Sequence, residues 1–151
     1  MNKAAVRIIP ITDAAGRLLE PDWLARAEDV HRQLRPDLPA DYAAQMRRLF
    51  AAGARMAVAA EGEQVAGVAV WRLQHKTATP HDLYVDDLVT DARKRSAGVG
   101  RTLLAWLEAQ AREHGCGTLS LDSGTQRQQA HKFYFREGML VTSFHFVKKL
   151  G

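Results

Sequence analysis

The run Asp87-Leu-Val-Thr-Asp-Ala-Arg-Lys-Arg95-Ser-Ala-Gly98-Val-Gly100-Arg101 constrains the fold more than any other stretch of the chain. An apolar strand enters a basic loop with two glycines, and the loop opens straight into a helix. Leu103, Leu104, Leu107 and Ala111 fall at i, i+1, i+4 and i+8, one face of an amphipathic helix. The amides from about Ser96 to Arg101 are then left unpaired at a helix N-terminus. With the positive end of the helix dipole and the neighbouring arginines they make an anion site. Gly98 and Gly100 let the backbone turn tightly and approach an oxygen with no Cβ in the way. A pyrophosphate is the expected guest. The loop is not a Walker loop, because no Gly-Lys-Ser/Thr follows. It also lacks the third glycine and the βαβ opening of a dinucleotide fingerprint.

The rest of the chain reads as alternating elements around this stretch. Val6–Ile9 is a strand closed by Pro10. Pro21 and Asp22 open a helix over Trp23–Leu34 with Trp23, Ala27, Val30 and Leu34 on one face, and a second helix runs over Ala40–Ala51 to a stop near Gly53. Arg55–Ala60 and Gln64–Leu73 form a hairpin around Glu61-Gly-Glu63. His81–Thr90 is the strand before the loop, and the following helix ends near His114. Thr118–Leu121 is a short strand. A last helix starts near Thr125, whose spacing to Gln128 is that of a capping box, and ends at Gly138. The tail Met139–Leu150 reads as a strand, with Val141, Phe144, Phe146 and Val147 available for burial.

The spacing Arg95-x-x-Gly98-x-Gly100, set between strand and helix, resembles the acetyl-CoA signature of the GNAT family of N-acetyltransferases. Ala130-His-Lys-Phe133-Tyr134-Phe-Arg136-Glu-Gly138-Met139 is similar to the family's second motif, with Arg127 where that motif has Asn and Met139 where it has Phe. The order β-αα-βββ-α-β-α-β matches the family across the whole chain. The resemblance implies an α/β acyl-CoA N-acyltransferase fold, a mixed and mostly antiparallel sheet flanked by helices, in a single domain over residues 1–151. It implies a splayed gap between the strands at His81–Thr90 and Thr118–Leu121, where the backbone at Leu88, Val89 and Thr90 pairs with the pantetheine arm of acetyl-CoA. Arg95, Ser96, Ala97, Gly98, Val99, Gly100 and Arg101 then surround the pyrophosphate, and Arg127, Ala130 and Phe133 complete the cofactor site. Within the family, the stretch around Arg127 and the Ser-Phe-His-Phe-x-Lys-x-Leu ending are most similar to small-molecule members, aminoalkylphosphonate N-acetyltransferases among them.

The implied reaction is attack of a neutral amine on a thioester. An ammonium must lose a proton, and the departing thiolate gains from receiving one. Tyr134 stands at the position of the family's general acid, and a phenol with an ordinary pKa of about 10 stays protonated at neutral pH. Asp86 and Asp87 are the candidates for accepting or relaying the amine proton, because a partly buried carboxylate rises toward a useful pKa. A water-mediated route is the alternative. His81, His131 and His145 are further candidates, weighed against the commoner packing or surface role of a lone histidine. No ligand spacing supports a metal, and no Gly-x-Ser-x-Gly elbow supports a serine hydrolase.

With 151 residues and a formal charge of +4, the chain has room for one well-cored domain and only a mild basic excess. It lacks the interleaved surface aromatics and recognition helix of a nucleic-acid binder. The lone Cys116 rules out an intrachain disulfide and fits a cytoplasmic location. No stretch approaches the ~20 apolar residues of a membrane span, and the N-terminal apolar run is short for a signal peptide. The expected partner is a small-molecule amine, with no nucleic acid and no membrane, and a homodimer is the family-level expectation. Two readings stand: an acetyl-CoA-dependent N-acetyltransferase acting on a small molecule or a protein amine, and a non-catalytic acyl-CoA-binding regulatory domain of the same fold.

Overall fold

The computed structural model describes residues 5–94 and 98–151, so Arg95, Ser96 and Ala97 of the expected pyrophosphate loop lie outside the described residues. The chain divides into two compact units, Met1–Ser120 and Leu121–Gly151. The strands are β1 (Val6–Pro10), β2 (Arg55–Glu61), β3 (Gln64–Gln74), β4 (Asp82–Thr90) and β5 (Thr118–Leu121), side by side in that order in one mixed sheet. β1–β2, β2–β3 and β3–β4 pair antiparallel. β5 follows β4 through a helix, the kind of long crossover that a parallel neighbour requires.

The middle strands are covered on both faces, so β2 and β3 read as continuous apolar runs rather than alternating ones. One face carries α1 (Pro21–Leu34) and α2 (Tyr42–Ala51), whose Leu24, Ala27, Val30, Met46 and Phe50 share a core with Met56, Val58, Val68 and Val70. Pro21 sits at the start of α1, where its missing N–H costs nothing. Asp41 caps α2, accepting from the Ala44 amide at 3.0 Å. The buried stripe of α1 is Leu24, Ala27, Val30 and His31, whereas Trp23 is only half-buried.

The other face is built for close approach. The cross-strand pairs Ala57↔Ala69 and Ala59↔Gly67 form a floor of small residues. α3 (Val99–Glu113) buries Val99, Leu103, Leu104, Leu107 and Ala111. A Cβ on Gly67 would lie 2.8 Å from both the Leu103 and the Val99 side chains. Gly67 is therefore what lets the first turn of α3 rest on the sheet.

In the second unit, α4 (Gln128–Arg136) begins after Arg127 with no side-chain cap, so the capping box expected from Thr125 and Gln128 is not formed. Gly138, at φ +88°, closes the helix, and the Met139 amide donates to the Tyr134 carbonyl at 3.0 Å. The strand expected over Met139–Leu150 is not formed either. The tail has no regular structure, and every residue from Leu140 to Gly151 is exposed. An alternating pattern makes a strand only where a neighbour takes its backbone hydrogen bonds. Among the described residues, no helix is long and apolar enough to cross a membrane.

Candidate active site

The site begins with a break in the sheet. Val70 pairs with Asp87 but Trp71 pairs with Val85, so Asp86 is an extra residue on β4, a β-bulge. Strict alternation would send Asp86 and Asp87 to opposite faces. The bulge instead lets Tyr84, Asp86 and Asp87 all line one cavity of about 300 Å³. Its other walls are His31 and Arg35 at the end of α1, Leu38 from the following loop, Met46 and Leu49 of α2, Ala54, and Val70 and Arg72 of β3.

The two acids are held differently. Asp87 is only 12% exposed; its Oδ2 lies 2.7 Å from His31 Nε2, and its Oδ1 accepts from Arg35 Nε at 2.8 Å and Nη2 at 2.7 Å. Burial pushes its carboxyl up, but the hydrogen bonds and charges of His31 and Arg35 together outweigh burial and hold it below the usual value. Asp86 pairs with Arg72, whose Nε reaches its Oδ2 at 3.0 Å and its Oδ1 at 3.3 Å. For Asp86 burial wins over that hydrogen bond, and its pKa lies above the usual value. Of the two, Asp86 is the better proton acceptor, and Asp87 is a fixed negative charge.

His31 is a buried relay between elements. Its side chain is 1% exposed, and its Nδ1 lies 2.8 Å from the Tyr42 hydroxyl. Burial drives the Tyr42 pKa well up, so its phenol keeps its proton. An imidazole that accepts from Tyr42 at Nδ1 and donates from Nε2 to Asp87 satisfies all three groups. Arg35 also donates to the Asp86 carbonyl at 3.2 Å, which clamps the bulge backbone. The sequence reading missed His31, Arg35, Arg72 and Tyr84. One signal was available: His31 falls on the i, i+3, i+7 stripe of Leu24, Ala27 and His31, a polar group on an apolar face that needs a buried partner.

Beyond β4, Asp91 turns the chain toward the loop. It is 1% exposed and accepts from the Arg93 amide and guanidinium and from Gln33 of α1, which hold its carboxyl down at about 2. Arg93 thus pairs with Asp91, and Lys94 with Glu61 at 3.2 Å, so neither is a free cation for the expected anion site. Gly98, at φ +77°, is the N-cap of α3 and offers no side-chain cap. A Cβ there would meet nothing within 4 Å among the described residues. Gly100 and the exposed Arg101 stand in the first turn of α3. The Leu88, Val89 and Val99 side chains are buried in the core, which leaves only their backbone for a ligand, and Thr90 is half-buried.

β4 and β5 are tied at their N-terminal ends. Gly117 N–H donates to the His81 carbonyl at 3.0 Å, and the buried Asp82 carboxylate accepts from the Thr118 hydroxyl at 2.7 Å and the Ser120 hydroxyl at 2.6 Å. In the second unit, Tyr134 is half-buried beside Phe133, their rings 5.6 Å apart. Burial raises the Tyr134 phenol, opposed by the charge and hydrogen bond of Arg127. Arg127 therefore stands at the Tyr134 hydroxyl, where its charge favours the phenolate. Ala130 is half-buried on the same helix. Of the histidine candidates, His81 and His145 are exposed, and His131 Nε2 lies 2.9 Å from the Gly124 carbonyl.

Residues 17–139 match the Acetyltransferase (GNAT) family. The chain belongs to that family. Among curated relatives, an uncharacterized N-acetyltransferase of Bacillus subtilis (YhdJ) is 45% identical over 67 residues, covering 44% of this chain and 47% of that protein. The aminoalkylphosphonate N-acetyltransferase of Salmonella typhimurium is 38% identical over 66 residues, covering 44% and 43%. The chain thus spans under half the length of the curated relatives it matches. Solved structures extend the likeness to the whole GNAT fold. The aminoglycoside N-acetyltransferase AAC(6')-Iy in complex with CoA aligns with a TM-score of 0.84 at 15% identity, over 99% of this chain and 97% of that one. The same enzyme with a CoA bisubstrate analog aligns at 0.82 and 16%, over 97% and 99%. At such identities the likeness is one of fold alone.

Proposed function

We infer that this GNAT chain is an acetyl-CoA-dependent N-acetyltransferase, acting as one domain, that acetylates the primary amine of a small molecule by direct attack in a ternary complex. The observation that carries this reading is the bulge at Asp86. It sets a carboxylate with a raised pKa and a second, fixed carboxylate on the wall of a cavity large enough for a small amine. An incoming ammonium is drawn to the pair. Asp86 takes its proton, and Asp87, immobilised by His31 and Arg35, holds the resulting amine in place. When bound, acetyl-CoA supplies an electrophilic thioester carbonyl. The backbone of Leu88, Val89 and Thr90 would hold its pantetheine arm, and the amides of the 95–101 loop, with Arg95 and Arg101, its pyrophosphate. The Tyr134 hydroxyl, with Arg127 stabilising its phenolate, holds the proton that a departing thiolate needs.

The cavity wall carries two acids and two arginines, Asp86 with Arg72 and Asp87 with Arg35. Such a balanced wall suits an acceptor that itself carries both an amine and an acidic group, as an aminoalkylphosphonate does, better than a polycation such as an aminoglycoside. The relative from Salmonella supports that choice. The test is thiol release from acetyl-CoA with aminoalkylphosphonates, amino acids, polyamines, aminoglycosides and peptides. The expected result is turnover highest for the small zwitterions and lowered by about 10²–10⁴-fold in Asp86→Asn. Acetyl-CoA binding with no turnover for any amine would overturn the reading in favour of a binding domain.

A further inference from the structure

The two arginines on the cavity wall are engaged to different degrees. Arg35 uses Nε and Nη2 on the Asp87 carboxylate and Nη2 again on the Asp86 carbonyl, so its fork is committed to holding β4. Arg72 uses only Nε, which donates to the Asp86 carboxylate at 3.0 and 3.3 Å. Its Nη1 and Nη2 make no hydrogen bond to any described residue, although the side chain is only 28% exposed.

The open edge of that guanidinium has room beside it. A Cβ on Gly53 would lie 4.0 Å from Arg72 Nη1 and would meet nothing else within 4 Å among the described residues. Gly53 precedes Ala54, which lines the cavity with the apolar side chains of Leu38, Met46, Leu49 and Val70. None of those side chains can accept a hydrogen bond, so a guest in the cavity is what remains to meet the Nη donors. Tyr84, the cross-strand partner of Arg72, has Lys76 Nζ 5.9 Å from its ring centre, and this second cation adds positive field on the β3–β4 side.

We propose that Arg72 is a specificity-determining residue of this site: its Nη edge receives the oxyanion of an acceptor whose amine sits at Asp86. The inference rests on the acetyltransferase reading above and adds which atoms select the acceptor. A guanidinium presents coplanar N–H donors that match two oxygens of a carboxylate, sulfonate or phosphonate. Because Nε already holds Asp86, the fork is oriented before the acceptor arrives, and little side-chain freedom is lost on binding. One guanidinium spans both contacts, so the amine and the oxyanion are only a few bonds apart. A bridge of about two carbons suits hydrogen bonds of ordinary length at each end. The acceptor's ammonium then lies between the Asp86 carboxylate and the oxyanion and offsets their repulsion.

The experiment measures kcat/KM by thiol release from acetyl-CoA for matched primary amines. β-Alanine, taurine and aminoethylphosphonate carry the three oxyanions, and propylamine keeps the length without one. The ratio of acid-bearing to acid-free acceptor cancels whatever the loss of Arg72 does to Asp86, which both acceptors share. In the wild type the ratio should favour the oxyanion by about 10–10²-fold, the range of hydrogen bonds to a charged group. It should fall for longer ω-amino acids and drop to near one in Arg72→Met. Arg72→Lys, which keeps the charge and loses the fork, should lie between. Ethylphosphonate, which has the oxyanion and no amine, should compete with the acceptor in the wild type and not in Arg72→Met. Turnover in the wild type with a ratio near one would overturn the proposal and leave the acetyltransferase reading in place. A methionine variant that slows both acceptors equally would make Arg72 a strut for the bulge, which also overturns it. Acetyl-CoA binding without turnover of any amine overturns the acetyltransferase reading and this inference with it, so the two failures are told apart.

Discussion

Asp86→Asn isolates the charge of one carboxylate while keeping its shape. The amide oxygen can still accept from Arg72, so one of the hydrogen bonds at 3.0–3.3 Å survives. Asp86 and Arg72 are each 28% exposed, and an ion pair of that exposure contributes only about 0–1 kcal/mol. Against that small loss stands a small gain. A carboxyl whose folded pKa is raised by burial weakens the fold above that pKa, and the amide removes this penalty. The melting temperature should therefore move little, and acetyl-CoA affinity should not move. The chemistry should: loss of a general base costs about 10²–10⁴ in rate, or roughly 2.7–5.4 kcal/mol at 1.36 kcal/mol per decade. The assay is kcat/KM for the acceptor from thiol release, with single-turnover rates to separate chemistry from product release. The sign of the pH dependence follows. A base must be deprotonated, so the wild-type value falls as pH drops through the Asp86 pKa, which lies above the usual carboxylate value; the variant lacks that limb. Near-wild-type single-turnover chemistry, with the acid limb intact, would refute the role of Asp86 and leave proton removal to water.

Asp87→Asn should act on the fold instead, since it removes the charge that His31 and Arg35 converge on. We expect a loss of about 1–3 kcal/mol, below the ~3–5 of a fully buried pair because Arg35 is half in water, read by urea unfolding. Tyr134→Phe should slow single-turnover acetyl transfer by about 10²–10⁴ with acetyl-CoA affinity unchanged. Because burial raises the phenol above 10, any fall in rate at lower alkaline pH should persist in that variant. Gly67→Ala drives a methyl group to 2.8 Å from Leu103 and Val99 and should destabilise by about 1–3 kcal/mol, a drop of roughly 2–4 °C per kcal/mol in thermal melts. Asp91, held at about 2, adds stability that is complete above the ordinary value of 3.8 and lost as pH falls through about 2. Protection of the turn at Ala92–Lys94 in hydrogen exchange should fail over that window in the wild type and not in Asp91→Asn, where it starts lower.

The local elements could be read from the residues that make them. A left-handed Gly98, an apolar stripe from Leu103 to Ala111 and the Tyr134–Gly138 helix end are set by neighbours within a few positions, so pattern and backbone preference suffice to find them. That is also why the resemblance rested on the 95–101 loop and on α4. The pairing of strands is not local, and what depends on it was hidden. Asp86 and Asp87 share a cavity only because β3 takes a register shift opposite them. Asp87 meets Arg35 and His31 across 52 and 56 residues of chain, and no spacing rule links them. The tail shows the same limit from the other side. Its alternation specified a strand, but a strand needs a neighbour to take its hydrogen bonds, and only the tertiary structure decides whether one is there. Sequence by itself located the helices and the five strands; tertiary pairing decided whether the tail extends as a strand and which side chains meet, because a contact between distant residues is a property of the packed sheet and not of either segment.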